Sequence, residues 1–380
     1  MKIIIVTSFP FPDGKATSNR IKVFAEEISI KNKINSVEIV APSNKKNRVI
    51  PLSPKIDIVN IYVPSVDKSK FFLRAISEIK MAFSLWPYAT RSNKNIIIIS
   101  IPSVLLLLPL LMQKKRNFLI LDVRDAVWSY LSEGLIKAFA GWVIKHIFKL
   151  ALTKADLVTV TNSYEFQNIK NFFGYEPLIV KNGISKSKML ELQSIKSKLP
   201  TAKINVSYIG NVGLAQELDV LIDFTKKYKS NIETNIIGDG IKLNYLKNRC
   251  VTEKIDNINF YGHVSSEKVS IYLEKSDILF AQIGENFKSA IPTKVFEYIA
   301  SGRKVLLGAP EGAAKNTFQK FYGIEIFPAG NLENMVKSYE NLINKEFSEE
   351  DKKYNIHLLL TEYIRENSMV GLLEALNKLE

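Results

Sequence analysis

A chain of 380 residues, 46% of them apolar, is long enough for two globular domains at roughly 150 residues apiece and shows no compositional sign of disorder. Its one cysteine, Cys250, excludes an intrachain disulfide and fits a reducing compartment, and histidines at 146, 263 and 357 lack metal-ligand spacing, so no zinc site is expected. The net charge of +14 is uneven: residues 1–180 carry 25 Lys and Arg against 13 Asp and Glu, a net +12, and the rest carry +2, which asks for an anionic partner on the first half.

Residues 2–6 form an apolar run too short for a signal peptide and closed by Phe9-Pro-Phe-Pro12, so they read as a buried first strand. Strands follow at 36–40, 58–62, 96–100, 118–121 and 157–160, with helices at 18–30, 70–85 and 135–152. The apolar stretch 96–112 is broken by Ser100, Pro102, Ser103 and Pro109. It falls short of the roughly 18–20 residues of a membrane span, so a strand and an apolar helix are expected and no transmembrane segment. Between Gly183 and Pro200 a Lys- and Ser-rich stretch interrupts the pattern. Beyond it, strands at 203–209, 233–237, 258–261, 277–281, 304–307 and 324–327 alternate with helices. Continuous Ile/Val/Leu strands with helical crossovers imply parallel sheets covered on both faces. The expected fold class is α/β, with two doubly wound, Rossmann-like domains facing across a cleft. A basic first domain takes residues 1–185 and a second domain 200–350, with helices in 351–380 packing back toward the first.

The richest stretch is Ser289-Ala-Ile-Pro-Thr-Lys-Val-Phe-Glu-Tyr-Ile-Ala-Ser-Gly302, set between two apolar strands. Pro292 suits the first turn of a helix and Gly302 its C-terminal end. Lys294 and Glu297 are three apart and share a face. A cation near a helix N-terminus binds phosphate, and a carboxylate one turn on binds sugar hydroxyls; a nucleotide-sugar needs both. Two strands end in Gly210-Asn-Val-Gly213 and Gly238-Asp-Gly240, turns that let backbone N–H groups approach an anion and that also read as ordinary tight βα turns. In the first half, the loop from Thr7 to Lys15, with Gly14, and Arg20 one turn into the next helix, is either a solvated loop or a substrate contact. In Asp122-Val-Arg-Asp125, Asp125 is a candidate to orient an acceptor hydroxyl, or else Arg124 and Asp125 pair or cap the next helix. Those carboxylates are three apart and form no DxD motif, so a metal-independent enzyme without a cofactor is expected. Gly-x-Ser-x-Gly, Walker A and Cys–His signatures are missing, which removes hydrolase and P-loop kinase readings.

Segment 68–94 mixes six lysines and arginines with Phe71, Phe72, Phe83, Trp86 and Tyr88, and is read as a peripheral contact with an anionic membrane surface. The helix 135–154, with Trp142 and Phe148, is read as core whose lysines only solvate it. No nucleic-acid-binding module is present, so nucleic acid is not an expected partner.

With these residues laid out, the chain resembles the retaining glycosyltransferases of family 4, which have the GT-B fold. It is most similar there to bacterial surface-polysaccharide enzymes of O-antigen, capsule or exopolysaccharide assembly. Gly210-Asn-Val-Gly-Leu-Ala-Gln216 and Ile291-Pro-Thr-Lys-Val-Phe-Glu-Tyr298 carry the resemblance; Leu121-Asp-Val-Arg-Asp-Ala-Val-Trp128 and Val180-Lys-Asn-Gly183 are weaker matches. The resemblance implies that Glu297 binds the donor ribose and that Lys294, with Asp125 on the acceptor, carries catalysis. Gly210, Asn211, Gly213, Gly238, Gly240, Pro292 and Thr293 would shape the donor site, and His263 and Val264 would line the base. Gly14, Lys15, Arg20 and Arg124 would face the acceptor. Two departures stand out. The family's glutamate eight residues before Glu297 is Ser289 here, which leaves the sugar open. The family's Arg…Lys phosphate pair is replaced by Asn211 and Gln216, which leaves Lys294, with Arg303 or Lys304 as further candidates. The implied reaction moves a sugar from a nucleotide-sugar, expected to be UDP-linked and with N-acetylated amino sugars among the candidates. The implied acceptor is an undecaprenyl-diphosphate-linked saccharide, and the implied location is the cytoplasmic face of the plasma membrane. The rivals are a GT-B nucleotide-sugar epimerase and an inactive nucleotide-sugar-binding scaffold.

Overall fold

The computed structural model describes residues 1–12, 16–31, 34–64, 71–91, 95–101, 103–112, 117–124, 128, 135–195 and 202–378. They divide into two compact units, one of residues 1–182 with 365–380 and one of residues 183–364.

The first unit is built on β1 (Lys2–Thr7), α1 (Ala16–Ser29), β2 (Ser36–Ser43), β3 (Arg48–Ser53), β4 (Ile56–Tyr62), α2 (Phe71–Ala89) and β5 (Ile96–Ile101). It continues with α3 (Leu108–Met112), β6 (Phe118–Val123), α4 (Leu135–Leu152), β7 (Leu157–Val160), α5 (Ser163–Phe173) and β8 (Leu178–Ile179). Among the described residues the strands form one sheet, ordered β3-β4-β2-β1-β5-β6-β7-β8. The Ile-rich β1 sits centrally, pairing in parallel with β2 and β5 (Ile5↔Ile39, Ile5↔Ile98), and its apolar residues are sealed from water on both faces. Strand β3 escapes the sequence pattern. It runs antiparallel at the edge, carries Pro51 and is largely exposed, and an edge is where a strand tolerates proline. At the carboxyl ends, Thr7, Ser100, Asp122 and Thr159 are register neighbours across four strands, a buried polar row under an otherwise apolar sheet.

The two helices of the membrane readings each have a buried and an exposed side. In α2 one side is core, with Trp86 buried among Met81, Ala82 and Leu85, while the other leaves Leu73 43%, Ile76 50% and Phe83 45% exposed, and Arg74 is paired with Glu78. Residues 68–70 and 92–94 lie outside the described residues. In α4, Phe148 and Ala151 are buried, but the opposite side leaves Phe139 66% and Trp142 55% exposed. Among the described residues no helix is long and apolar enough to cross a membrane.

The second unit comprises α6 (Lys186–Gln193), β9 (Ile204–Ile209), α7 (Asp219–Lys227), β10 (Ile232–Ile237), α8 (Leu243–Thr252), β11 (Ile258–Gly262) and α9 (Ser266–Lys275). It goes on with β12 (Ile278–Gln282), α10 (Lys294–Ala300), β13 (Lys304–Gly308), α11 (Ala313–Phe318), β14 (Ile324–Phe327), α12 (Leu332–Asn344) and α13 (Glu349–Glu362). The described strands form a parallel sheet, β11-β10-β9-β12-β13-β14. One face is packed by α7, α8 and α12 around Phe224, Leu246 and Tyr339, and the other by α10, α11 and α13 around Phe296, Phe318 and Leu359.

Two groups of apolar side chains decide where the chain changes unit. Ile184, Met189 and Leu192 enter the second unit's core, so the start of the polar stretch after Gly183 belongs to that unit; residues 196–201 lie outside the described residues. Leu359, Tyr363 and Ile364 do the same, whereas Met369, Leu372 and Leu376, on and just before α14 (Val370–Asn377), pack against β1 and α1 residues of the first unit. The helices expected together in 351–380 are thus divided between Ile364 and Arg365.

Candidate functional site

Strand order in the second unit reverses between β9 and β12, and in open α/β sheets the crevice outside the strand ends at such a reversal receives the ligand. β9 runs into Gly210-Asn-Val-Gly213, and β12 runs into the loop that starts α10. Two motifs about 80 residues apart thereby meet on one sheet edge.

Helix α10 has an inner and an outer face. Val295, Phe296, Tyr298, Ile299 and Ala300 are buried, leaving Lys294 and Glu297 on the open side at 43% and 20% side-chain exposure. Lys294 Nζ donates to Glu297 Oε2 at 3.0 Å. A half-exposed pair of this kind contributes no more than about 1 kcal/mol, so an incoming phosphate can draw the ammonium away at little cost. The carboxylate is then free to accept from hydroxyls. Pro292 and Thr293 supply the first carbonyls of the helix, accepting from Val295 N and Phe296 N. Ser289, four residues ahead of Thr293, is 1% exposed and turned into the protein, so it does not replace a sugar-binding glutamate.

Two tyrosines that were not among the expected site residues fix this helix to the glycine turn. β12 pairs with β9 only as far as Tyr208, leaving the next residue, Ile209, without a strand partner on that side. The Tyr298 hydroxyl fills the gap: it accepts from Ile209 N at 3.1 Å and donates to Ile209 O at 3.0 Å. Burial, reinforced by Tyr208 and Glu297 nearby, pushes its pKa far above the ordinary tyrosine value, so it stays a protonated donor. Tyr208 Oη donates to Asn211 O at 2.5 Å and lies where a side chain at Gly210 would have to go. Gln282, at the end of β12, is also buried; its Nε2 donates to Gln216 O (3.2 Å) and Glu217 O (2.8 Å), and its Oε1 accepts from Gly330 N. A polar residue closing the apolar run 278–281 was the available signal.

The glycines do less ligand work than their pattern suggests. Gly210 N and Val212 N donate to Ile237 O and Asp239 O, both at 2.9 Å, so these amides are committed within the fold. Gly213 N donates to Gln216 Oε1 at 3.2 Å, and Asn211 Nδ2 to the same oxygen at 3.3 Å; these two donors can be surrendered to an anion by moving one side chain. Gly238 (φ 147°) and Gly240 (φ 157°) serve packing between turns: a Cβ at either would overlap the Gly210 or Val212 carbonyl. His263 is exposed and Val264 half-buried, just after Gly262, whose carbonyl accepts from Gly238 N. Arg303 and Lys304 sit at the far end of α10 and donate to the carbonyls of Leu273, Glu274, Leu342 and Lys345. The diphosphate role considered for them is withdrawn, and Lys294 remains.

In the first unit, the acceptor-side expectation for Arg20 is overturned. Its side chain is 1% exposed: Nε and Nη2 grip Asp122 at 3.1 and 2.7 Å, and Nη1 donates to Val180 O and Asn182 Oδ1. Burial alone would raise the Asp122 pKa, but the Arg20 charge and hydrogen bonds, with Arg124 and Thr159, hold it below the usual carboxylate value. Arg124 lies half-buried beside this cluster, and its backbone N–H donates to Ile101 O. Gly14, Lys15 and Asp125 lie outside the described residues. No group of His, Cys, Asp or Glu able to hold a metal occurs among the described residues.

Residues 191–357 match the family model of glycosyl transferases group 1. That stretch is a glycosyltransferase domain. The chain is accordingly an enzyme of glycosyl transfer, and the two units have the GT-B fold. Solved structures agree on the fold along its whole length. Sucrose-phosphate synthase from Thermosynechococcus elongatus superposes with a TM-score of 0.77 at 13% identity, covering 100% of this chain and 99% of that one. The lipopolysaccharide outer core galactosyltransferase WaaB in its apo form gives 0.65 at 14% identity, covering 99% of each chain. HepE of Anabaena in complex with UDP gives 0.68 at 12%, covering both chains fully. No curated protein matches the sequence.

Proposed function

We propose that this glycosyltransferase is a retaining enzyme that takes a sugar from a UDP-sugar and adds it to a lipid-diphosphate-linked saccharide at an anionic membrane surface, in surface-polysaccharide assembly. The observation that carries the donor half is the Lys294–Glu297 pair on α10, held against the Gly210–Gly213 turn by the Tyr298–Ile209 hydrogen bonds. The solved relatives with UDP or a UDP-sugar bound, HepE and a trehalose-6-phosphate enzyme, support a nucleotide of this class.

In this reading Glu297 accepts from the ribose hydroxyls while Lys294 meets the diphosphate. As the glycosidic C–O bond breaks, negative charge grows on the leaving phosphate. The ammonium and the Gly213 and Asn211 donors stabilise it more than they stabilise the ground state. The acceptor oxygen then bonds to the same face of the sugar carbon and gives its proton to the departing phosphate oxygen, so no protein base is required. The membrane side of the reading rests on the net +12 of residues 1–180 and on α4. There Phe139, Trp142 and Leu150 are exposed beside Lys145 and Lys149, and Phe172 of α5 lies under the Lys145 ammonium at 4.1 Å. Exposed aromatics with cationic neighbours suit an anionic lipid interface.

Thermal stabilisation by UDP, GDP, ADP, TDP and CMP tests the donor, because a ligand that binds only the folded state raises stability by RT ln(1 + [L]/Kd). A selective shift with UDP is expected; no shift with any of them overturns the donor reading. Incubation of UDP-sugars with and without a polyprenyl-diphosphate saccharide then separates transfer from epimerisation, since turnover without acceptor would assign an epimerase.

A further inference from the structure

The sheet of the second unit carries a polar surface that the donor site does not use. Sheets of this kind are covered on both faces and their strands are expected to be apolar on both. β9, β10 and β11 obey this on one face, where Val206, Ile232, Ile236 and Phe260 pack into the core. On the other face, at alternate positions, they present carboxamides, a hydroxyl and a carboxylate: Asn205 and Ser207, Glu233 and Asn235, then Asn259. The register sets Glu233 beside Asn205, and Asn235 between Ser207 and Asn259. Helix α9 faces these strands through Lys268, Ile271, Tyr272 and Lys275, and a cavity of about 230 Å³ remains between helix and strands.

Its polar groups are pre-arranged. Asn259 Nδ2 donates to Glu233 Oε1 (2.8 Å) and to Asn235 Oδ1 (3.3 Å), and Tyr261 Oη donates to the same Asn235 oxygen (3.3 Å). That leaves the Asn235 amide hydrogens as donors and the second Glu233 oxygen as an acceptor. Tyr261 and Tyr272, with ring centroids 4.9 Å apart, supply an aromatic wall. Glu233 disfavours a phosphate, and Lys268 and Lys275 at the rim disfavour a cation. Carboxamides disfavour an apolar guest, whose entry would strip their water without replacement. A neutral ring rich in hydroxyls satisfies all three conditions. The volume is below the roughly 300–1,000 Å³ of drug-sized sites, which suits one ring.

We propose that this pocket binds a single hexopyranose unit of a saccharide handled by the enzyme, at a place separate from the donor site. The donor motifs lie at the carboxyl ends of β9 and β12; this pocket lies on the face of the neighbouring strands, against α9. A saccharide chain held there keeps its remainder near the enzyme at raised effective concentration. That consequence rests on the function proposed above; occupancy of the pocket by a sugar does not.

Saturation-transfer NMR of the full chain with glucose, galactose or N-acetylglucosamine, with and without saturating UDP, tests it. At least one hexose is expected to bind saturably with UDP present, and Asn235→Ala should weaken that binding at least about fivefold, the worth of a lost hydrogen bond. Tyr261→Ala, at a position outside the buried core, provides a second variant. No transfer from any of the three sugars overturns the proposal. So does binding that UDP abolishes, or binding left unchanged in both variants. A failure of UDP to stabilise the protein would count against the donor reading alone, because the hexose readout does not use it.

Discussion

At the scale of single residues, the proposed donor site rests on Lys294 and Glu297 of one short helix, which Tyr298 ties to the end of β9. Lys294→Ala is expected to lower turnover at least tenfold, since about 1.4 kcal/mol of barrier is a factor of ten; a near-normal rate would refute the diphosphate role. Glu297→Ala should weaken UDP binding, and unchanged affinity would remove the ribose assignment. Tyr298→Phe keeps the buried ring and strips two backbone groups of their partner, at a cost of about 1–3 kcal/mol. Urea denaturation reads that loss, and an unaltered midpoint would show that the hydroxyl is dispensable. Asp122 sets a pH dependence. Its folded pKa lies below the unfolded value of about 3.9, so its contribution is complete above that pH and is lost as pH falls through the folded value. Asp122→Asn should flatten the acid limb of the stability curve below about pH 4 and cost about 3–5 kcal/mol at neutral pH by leaving the Arg20 charge uncompensated. An acid limb of unchanged steepness would assign it to other carboxylates. The Lys294–Glu297 spacing was legible in the sequence because both members lie on one turn. Arg20 was misread because its partner stands 102 residues away and nothing local announces it. Tyr298 was passed over for the same reason, as its contact is 89 residues distant.

At the scale of elements, continuous β-branched runs marked the buried strands to within three residues at either end, β9 and β12 more closely, because burial on both faces leaves little alternative. Edge strand β3 gave no such signal, being exposed and holding a proline. Helix α4 misled for the opposite reason. Apolar residues surround it on nearly all sides, so periodicity could not select the buried face, and only the fold shows Phe148 inside and Trp142 outside. Its exposed stripe gives a direct expectation. Replacing Phe139 and Trp142 together by serine should reduce sedimentation with vesicles containing anionic phospholipid, and the residual binding should fall further as salt is raised. Vesicle binding that ignores both the substitutions and the salt would remove α4 from the membrane contact. On α2, by contrast, Trp86→Ser would strike core packing and change stability first.

At the scale of the whole molecule, the alternation of strands and helices was enough to reveal two doubly wound units. The positions of the two crossings between units were harder, because apolar residues of short helices, and not composition, determine them. The return of the chain at Arg365 has a consequence for synthesis. Met369, Leu372 and Leu376 complete the core of the first unit, yet they are made after the entire second unit. At about 5–20 residues per second, the first unit waits on the order of ten seconds or more on the ribosome with that seam of its core open. The apolar surface that these three residues cover is thus open in every nascent copy, and a chain stopped at Asn182 would never close it.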